Sequence, residues 1–514
     1  MIHVLRVIDE RKALLEDHPL HRWLVTWDDG GPPERRLWFS LYFLNFIMYF
    51  RELNLYHISY ASPGRDNGLG EPAQRAAITR HAEEDMTHSR LFLRDFRTLG
   101  WDTMLGWRPS EVFHWLFSSR ITADLRSRTS AITKLVIEAQ DPVVRFAVVE
   151  AIEACGNALF RHTNEIAVEY ARRTGRELVY WGPYHLARET GHAVDDDSFE
   201  SAVLDPARRA AAIAKAVRVF ELIDEQNSDM LRLAQETLSQ GGFGYRRGRH
   251  ASAPATIGSR PGPEVFDFPF WPEHPHPTQQ AIKDLQDKSV AAVRESADLS
   301  YFEDVPDLTE AIRRLRIALL FMATDTTGAP TVYRRMISYP IPVSAPQRAI
   351  NRLCRRFGRR SGLLYEDWRS LRLDDLLDWP VSRTLEFIYL SKDTAEHRDL
   401  RGVITHQIDH TLDPLLRYWV IVALKGLTAP VSDAIGALAR RVESETGLPL
   451  PYLAQRLPVQ PLELEPDPEA DALRFESLAA GPDLAAQAMG AIDEMRDGIL
   501  RRTSHMIKQG GRWL

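Results

Sequence analysis

The sequence predicts an all-α protein built from two related helical bundles. Apolar residues recur with helical spacing through most of the 514-residue chain, whereas strand patterns are few. The second half also repeats the first, because the segment that begins at Asp141-Pro142 reappears at Asp413-Pro414, 272 residues later. A chain of this length exceeds one ordinary hydrophobic core, which agrees with a division into two domains.

Three long segments carry the clearest helical patterns. They are residues 73–99, residues 130–173 with a break near Asp141-Pro142, and residues 207–239. The longest apolar run that we identify, residues 37–50, is shorter than the roughly 20 residues of a membrane span. We therefore expect a buried helix at residues 37–50.

Composition and charge exclude several classes of function. Hydrophobic residues make up 44% of the chain and charged residues 26%, as in soluble globular proteins, and the net charge of −7 disfavours a nucleic-acid or membrane partner. Two cysteines, Cys155 and Cys354, exclude a disulfide framework. Residues 1–12 have no signal-peptide pattern, so we expect a cytoplasmic protein.

The internal repeat keeps one register over about 80 residues. Chance similarity between two helical stretches is the alternative explanation, but such similarity rarely holds one constant offset. The residues that match at the 272-residue offset are Asp95 with Asp367, Leu99 with Leu371, Asp102 with Asp374, Leu105 with Leu377, Trp107 with Trp379, and Thr174-Gly175 with Thr446-Gly447.

The first candidate metal ligands lie in the segment 73–99. Glu84 and His88 are four residues apart on the predicted helix and share a face, as do Asp85 and His88, so the ligating carboxylate remains open. His81 lies one turn earlier on the same stripe. A carboxylate one turn before a histidine is how helical bundles hold iron or manganese, although an isolated pair also fits a solvated helix face.

A second cluster has a more specific spacing. His185, Glu189 and His192 stand at positions i, i+4 and i+7, which places two imidazoles and a carboxylate on one stripe. Imidazole combined with carboxylate suits iron better than calcium or magnesium, which prefer oxygen ligands alone.

Two glutamates in apolar surroundings complete the candidate set. Glu52 follows the apolar run 37–50, and a carboxylate there is costly unless it is paired or ligates a metal. Glu153 lies in an equally apolar stretch, where Glu150 is the alternative ligand.

The repeat separates these candidates from the scaffold. At the 272-residue offset every candidate ligand is replaced, and the segment equivalent to His185–His192 contains prolines that forbid a regular helix. His406, Asp409 and His410 lack a second cluster across the bundle. The replacements are Thr324 for Glu52, Arg356 for Glu84, Arg360 for His88 and Lys425 for Glu153. We therefore expect metal in the first copy and none in the second.

The order of these residues resembles the haem-oxygenase-like di-iron oxidases and oxygenases. Stretches around His18-Pro-Leu-His-Arg-Trp23 and from His88 to Gly100 are also similar to that family, over roughly residues 1–240 and more faintly 277–514. Glu189 departs from the pattern, because the family more usually has Asp there. The family's ligand places are filled, in order, by Glu52, Glu84 with His88, Glu153, His185, Glu189 and His192.

The resemblance implies a di-iron domain at residues 1–240, a linker at 241–276 and a degenerate bundle without metal ligands at 277–514. The two bundles would form an intramolecular pseudo-dimer. It further implies two iron ions, O2 as co-substrate and an external reductant.

The expected reaction is N-oxygenation of an amino acid or related amine in specialised metabolism. One alternative is oxidative C–C cleavage or desaturation of a fatty or amino acid. The others are a metal-free relative that uses Cys155 as a nucleophile and a non-catalytic helical scaffold. The carboxylate-rich stripe disfavours a haem site.

Overall fold

A computed structural model describes residues 1–28, 30–60, 72–189, 199, 202–243, 276–326, 337–357, 362–409, 411, 413–455 and 481–513. Helices are the regular elements of these residues, and no β-strand occurs among them, which confirms the all-α prediction. Most of the predicted linker at 241–276 lies outside this description.

The helices of the first half include a short 3-10 helix, Pro33–Leu41, and a π-helical turn, Leu53–Ile58. The α-helices are α1 (Ile2–Glu16), α2 (Pro19–Thr26), α3 (Leu44–Glu52), α4 (Pro72–Asp85), α5 (His88–Thr98), α6 (Trp101–Leu105), α7 (Pro109–Phe117), α8 (Ala123–Glu138), α9 (Pro142–Thr174), α10 (Pro183–Glu189) and α11 (Pro206–Ser239).

The second half repeats this pattern of long and short helices. They are α12 (Pro277–Arg294), α13 (Ser300–Glu303), α14 (Leu308–Thr326), α15 (Ala345–Phe357), α16 (Leu364–Ser370), α17 (Leu373–Leu377), α18 (Val381–Tyr389), α19 (Ala395–Asp409), α20 (Pro414–Thr446) and α21 (Pro482–Gly510).

The predicted helices agree with these bounds except at two places. The single buried helix expected over 37–50 is divided into the 3-10 helix Pro33–Leu41 and α3, with a turn at Tyr42-Phe43. The segment expected as one helix over 73–99 is divided into α4 and α5, with a turn at Met86-Thr87. The break predicted near Asp141-Pro142 separates α8 from α9, and α11 matches the segment 207–239.

The longest helix pair shows why the repeat folds alike in both halves. α9 and α20 each have 33 residues and a proline in the first turn. Asp141 accepts a hydrogen bond from Val143 N at 2.9 Å, and Asp413 accepts one from Leu415 N at 2.8 Å. These side chains satisfy amide groups that have no partner inside the helix. Both helices end at a glycine with positive φ, so one sequence signal begins and ends each of them.

Equivalent hydrogen bonds show which residues of α4 in the first copy correspond to residues of α15 in the second copy. Tyr60 N donates to Thr79 Oγ1 at 3.0 Å, and Tyr339 N donates to Asn351 Oδ1 at 2.7 Å. Thr79 and Asn351 are 272 residues apart, whereas the two tyrosines are 279 apart. The second copy therefore has seven fewer residues between its tyrosine and this helix.

This change of register affects one predicted pairing. Glu52 was matched with Thr324 at the 272-residue offset, but it precedes Tyr60, where the offset is 279. At that offset Glu52 pairs with Thr331 instead of Thr324, so the residue that replaces it is again a threonine. Positions in α4 and α9 keep the 272-residue register.

The chain forms two compact units that are not continuous in sequence. Unit 1 comprises Met1–Trp107, Trp115–Tyr245 and Pro380–Tyr389. Unit 2 comprises Arg108–His114, Arg246–Trp379 and Leu390–Leu514. Each copy thus contributes a short segment to the unit formed mainly by the other copy, a feature that the sequence division into 1–240 and 277–514 did not include.

In unit 1, α18 is held by two side chains of the first copy. Ser382 donates from its backbone N and from Oγ to the two oxygens of Asp102, both at 2.7 Å. Arg97 Nη2 lies 2.8 Å from Glu386 Oε2. Since Ser382 stands in the first turn of α18, Asp102 satisfies an amide group that the helix leaves unpaired.

Unit 2 holds its borrowed segment in the equivalent way. Ser110 donates from its backbone N to Asp374 Oδ1 at 2.9 Å and from Oγ to Oδ2 at 2.5 Å. Asp102 and Asp374, like Ser110 and Ser382, are 272 residues apart. In both copies, therefore, an aspartate and a serine at equivalent positions hold the segment that comes from the other copy.

One helix, α20, is long and apolar enough to cross a membrane by length and composition alone. Its most apolar 18-residue window has a mean hydropathy of 1.4, and 56% of that window is buried inside the protein. Core helices of soluble proteins meet the same criterion, so this helix is weak evidence for a membrane span.

We predict that Asp102→Ala loosens α18 within unit 1. Losing both hydrogen bonds to Ser382 should lower the free energy of unfolding of unit 1 by about 1–2 kcal/mol. Hydrogen exchange followed by mass spectrometry should show faster exchange in residues 381–389. The matched variant Asp374→Ala should move that effect to residues 109–114, and unchanged exchange in both segments would contradict the prediction.

Candidate metal centre

The site begins with three side chains spaced along α4 and the start of α5. His81, Asp85 and His88 are four and three residues apart, and their exposed fractions are 5%, 1% and 6%. His81 Nε2 lies 3.2 Å from Asp85 Oδ2, and His88 Nδ1 lies 4.0 Å from Asp85 Oδ1. Asp85 therefore lies between two imidazoles, with one oxygen directed to each.

A fourth side chain reaches this group from α9. Glu153 is 8% exposed, and its Oε1 lies 3.7 Å from His81 Nε2. One donor atom from each of His81, Asp85 and Glu153 lies within 4.8 Å of the others. Because α9 is buried along most of its length, Glu153 projects from the core of unit 1 rather than from its surface.

His185 of α10 approaches from the other side of His88. Its Nδ1 donates to the carbonyl oxygen of Tyr180 at 2.8 Å, which places the lone pair of the ring on Nε2. The His185 and His88 rings are 4.4 Å apart between centroids, and Phe160 packs 4.2 Å from His185. A histidine held by a backbone carbonyl through one nitrogen is typical of metal ligands that bind through the other.

The loop before α10 is held by a buried carboxylate. Asp95 is fully buried and accepts hydrogen bonds from the backbone N of Val179, Tyr180 and Trp181 at 2.7, 2.8 and 3.1 Å. Burial raises the pKa of Asp95 to about 6, and the three amide donors act in the opposite direction. Asp95 thus positions the residues that orient His185.

The same device occurs in unit 2, where the described residues include no group of potential metal ligands. Asp367 accepts hydrogen bonds from the backbone N of Tyr452 and Leu453 at 3.0 and 2.7 Å. Since Asp367 is the repeat counterpart of Asp95, this loop anchor belongs to the scaffold that both copies share. It offers a matched control for the function of Asp95.

Charge in the cluster is balanced between buried groups. Burial alone would lower the pKa of His81, but the Asp85 and Glu153 carboxylates raise that pKa well above its ordinary value. Burial would raise the pKa of Asp85, but the His81 and His88 imidazoles lower it below its ordinary value. Two buried carboxylates therefore require nearby positive charge, which either a proton on His81 or a bound cation supplies.

The donor set fits metal ions of the iron and manganese type. Donor atoms on one ion at about 2.0–2.2 Å lie roughly 3.0–3.5 Å from each other. The distance from His81 Nε2 to Asp85 Oδ2, 3.2 Å, falls in this range, and the 3.7 Å distance to Glu153 Oε1 slightly exceeds it. Asp85 is shared between the His81–Glu153 side and the His88–His185 side. If metal were bound here, these residues would be the ones to hold it.

The structure brings together three of the predicted ligands: His88, Glu153 and His185. It does not support Glu84, which is exposed, whereas the alternative Asp85 is buried next to His81 and His88. The one-residue difference matters because successive helical positions face directions about 100° apart.

The other predicted ligands stand as follows. Glu52 is 2% exposed at the end of α3, directly before the π-helical turn, but it is not in the group formed by His81, Asp85 and Glu153. Glu150, the alternative to Glu153, is half-buried and also outside that group. The side chain of Glu189 and all of His192 lie outside the described residues.

From the sequence we placed His81 on the same stripe as His88 but did not include it among the candidate ligands. His81, Asp85 and His88 stand at i, i+4 and i+7, which is the same spacing that singled out His185, Glu189 and His192. Applying that one criterion to both segments would have identified the buried trio.

The counterparts of the cluster in the second copy cannot form it. In the register fixed by Thr79 and Asn351, Leu353 replaces His81 and Phe357 replaces Asp85. On α20, Lys425 replaces Glu153. The second copy therefore has two apolar residues and a cationic residue at the positions of three potential metal ligands in unit 1. The alternative group in the second copy remains undescribed, since His410 and the side chain of Asp409 lie outside the described residues.

Cys155 does not have the surroundings of a nucleophile. Burial raises its pKa well above the ordinary value, and the nearby Glu153 carboxylate adds to this effect. A reactive cysteine needs a stabilised thiolate, which positive charge usually provides. The structure therefore disfavours the alternative in which Cys155 does the chemistry of a metal-free relative.

Comparison with protein-family models and with curated proteins finds no match for this chain. The functional interpretation therefore depends on the geometry of unit 1 and on its difference from unit 2.

We predict that Asp95→Asn lowers both the stability of unit 1 and its metal content. The amide has one acceptor oxygen where the carboxylate has two, so part of the 179–181 loop loses its partner, at a cost of about 1–3 kcal/mol. Asp367→Asn should destabilise unit 2 by a similar amount without affecting metal content. Thermal unfolding and metal analysis of both variants test this, and equal metal loss in the two would argue against positioning by Asp95.

We predict that Glu153→Lys abolishes metal binding and leaves the helices intact. Lys425 occupies this position on α20, so the scaffold accepts the side chain, whereas an ammonium beside bound dications is electrostatically prohibitive. Circular dichroism should remain helical while bound iron falls at least tenfold. Glu150→Lys, on the same helix, is the control that should keep its iron; if Glu153→Lys also keeps it, Glu153 is not a ligand.

Proposed function

We propose that unit 1 is an O2-dependent non-haem di-iron oxygenase. The observation that carries this proposal is the buried group of His81, Asp85, His88, Glu153 and His185 beside an apolar cavity. When bound, two ferrous ions would offer open coordination positions to dioxygen and supply the electrons that reduce it. An external reductant would return the ions to the ferrous state.

The residues of unit 1 suit the tasks that this chemistry leaves to the protein. Asp85, with an imidazole on each side, would help to hold the metal, and the Tyr180 carbonyl orients His185. Phe50 and Phe160 lie against the imidazoles of His88 and His185, which gives that side of the site an apolar surface.

The second copy lacks the potential metal ligands of unit 1, and this difference supports a catalytic rather than a structural role for the cluster in unit 1. Residues that begin and end helices, such as Asp141 and Asp413, are kept in both copies. The donors His81 and Glu153 are replaced by Leu353 and Lys425 in a scaffold that is otherwise equivalent. A cluster needed only for folding would be expected in both units, so we propose that unit 2 is a metal-free scaffold.

Two classes of oxidation are candidates for the reaction of unit 1. N-oxygenation of an amine, in specialised metabolism, is the reaction implied by the family resemblance. Oxidative C–C cleavage or desaturation of an aliphatic chain is the second candidate, and the apolar walls of the cavity beside His88 and His185 favour it.

We predict that the full-length protein binds two iron ions and that Asp85→Ala binds at least tenfold less iron. Asp85 contacts both sides of the cluster, so its loss removes a donor from both ions. The adjacent variant Glu84→Ala should keep its iron, because Glu84 is exposed.

Metal analysis after anaerobic loading with ferrous iron measures the binding, and an oxygen electrode measures O2 consumption with a chemical reductant. Iron-dependent O2 consumption by the parent and by Glu84→Ala, but not by Asp85→Ala, is the expected pattern. Equal iron content in all three proteins would refute the assignment of this cluster.

A further inference from the structure

A cavity opens directly onto the candidate metal centre in unit 1. It has about 670 Å³ of empty space when the part that is continuous with solvent is included. His88, Glu153 and His185 form its polar end. A ligand in this space would therefore lie next to the donor atoms.

The walls of the cavity are apolar. Aromatic and aliphatic side chains from α3, α9 and α11 and from the residues before α3 line it, and they include Phe43, Phe46, Phe50, Ile152, Phe160 and Ile223. Phe43 and Phe46 stack with their ring centroids 4.6 Å apart, which makes a flat surface on one wall. Contact with such walls stabilises a ligand in proportion to the apolar area that it buries.

Besides His88, Glu153 and His185, polar groups in the cavity lining are few. Asn227 of α11, 4% exposed, lines the cavity and offers a neutral amide. No lysine or arginine lines it among the residues that the structure describes. A free amino acid would bring both a carboxylate and an ammonium into these walls, whereas an alkylamine or a fatty acid brings one charged group, and burying each unpaired charge costs several kcal/mol.

We propose that this cavity binds a substrate whose body is an apolar chain or ring, and that the Asn227 amide hydrogen-bonds its polar group. The oxidation of that substrate depends on the function proposed above, but its binding does not. Among the candidate reactions, this substrate class fits a hydrophobic amine or a fatty chain and does not fit a small zwitterionic amino acid. Asn227 is then a specificity-determining residue rather than a metal ligand.

Calorimetric titration of the metal-free full-length protein tests this substrate class. The ligands are hexyl-, octyl- and decylamine, decanoate, L-norleucine and L-lysine. We expect affinity to rise about fourfold for each added CH2 until the cavity is filled, and the amino acids to bind at least tenfold more weakly than decylamine. Affinity that is independent of chain length, or amino acids that bind as tightly as decylamine, would overturn the proposal.

Two variants locate the binding site. Ile223→Trp should fill the cavity and lower the affinity for decylamine at least tenfold, whereas Ile213→Trp, on the same helix but outside the cavity lining, should not. Asn227→Asp should favour decylamine over decanoate at least tenfold more than the parent does. Equal effects of the two tryptophans, together with an unchanged amine-to-acid preference in Asn227→Asp, would place the ligand elsewhere.

The outcome is separable from that of the oxygenase proposal. The titrations need neither iron nor oxygen, so apolar binding without iron binding would remove the oxygenase function and keep the ligand class. Conversely, normal iron binding with no dependence on chain length would remove the ligand class alone.

Discussion

The burial of Asp85 is the constraint on which the centre of unit 1 depends. A carboxylate that is 1% exposed keeps its charge only if positive charge lies close to it. His81 and His88 lie on its two sides, at 3.2 and 4.0 Å, so the aspartate connects them. Glu153 adds a second buried carboxylate near His81. The group is balanced only while a proton or a metal ion is present, which makes the site a natural place for a cation.

The duplication shows which parts of this arrangement belong to the scaffold. Asp95 and Asp367 hold equivalent loops, and Asp102 and Asp374 hold equivalent borrowed segments. These aspartates have structural roles, so they are present in both copies whether or not potential metal ligands lie nearby. Lys425, in contrast, stands where Glu153 stands in unit 1, and a cation at that position is incompatible with a bound metal. The two units therefore share a framework and differ in the charge at its centre.

Much of the fold follows from local sequence signals, whereas the exact donor set depends on geometry that spacing alone does not define. The Asp-Pro pairs and terminal glycines fixed α9 and α20, and the constant offset identified the repeat. The choice between Glu84 and Asp85 turned on one helical position, and both satisfied the spacing that we considered. The turn at Met86-Thr87 and the reciprocal exchange of short segments depend on tertiary contacts, so no local pattern indicated them.

The cavity and the cluster impose different requirements on a ligand, and together they narrow the chemistry. The buried carboxylate of Glu153 needs positive charge nearby, while walls such as Phe46 and Ile223 disfavour unpaired charge. A molecule that satisfies both places a reactive carbon or nitrogen at the metal end and buries an apolar body behind it. Asn227 can hydrogen-bond one group of such a molecule without adding charge. Selectivity in unit 1 would then come from the walls and from Asn227, whereas reactivity would come from the buried donors.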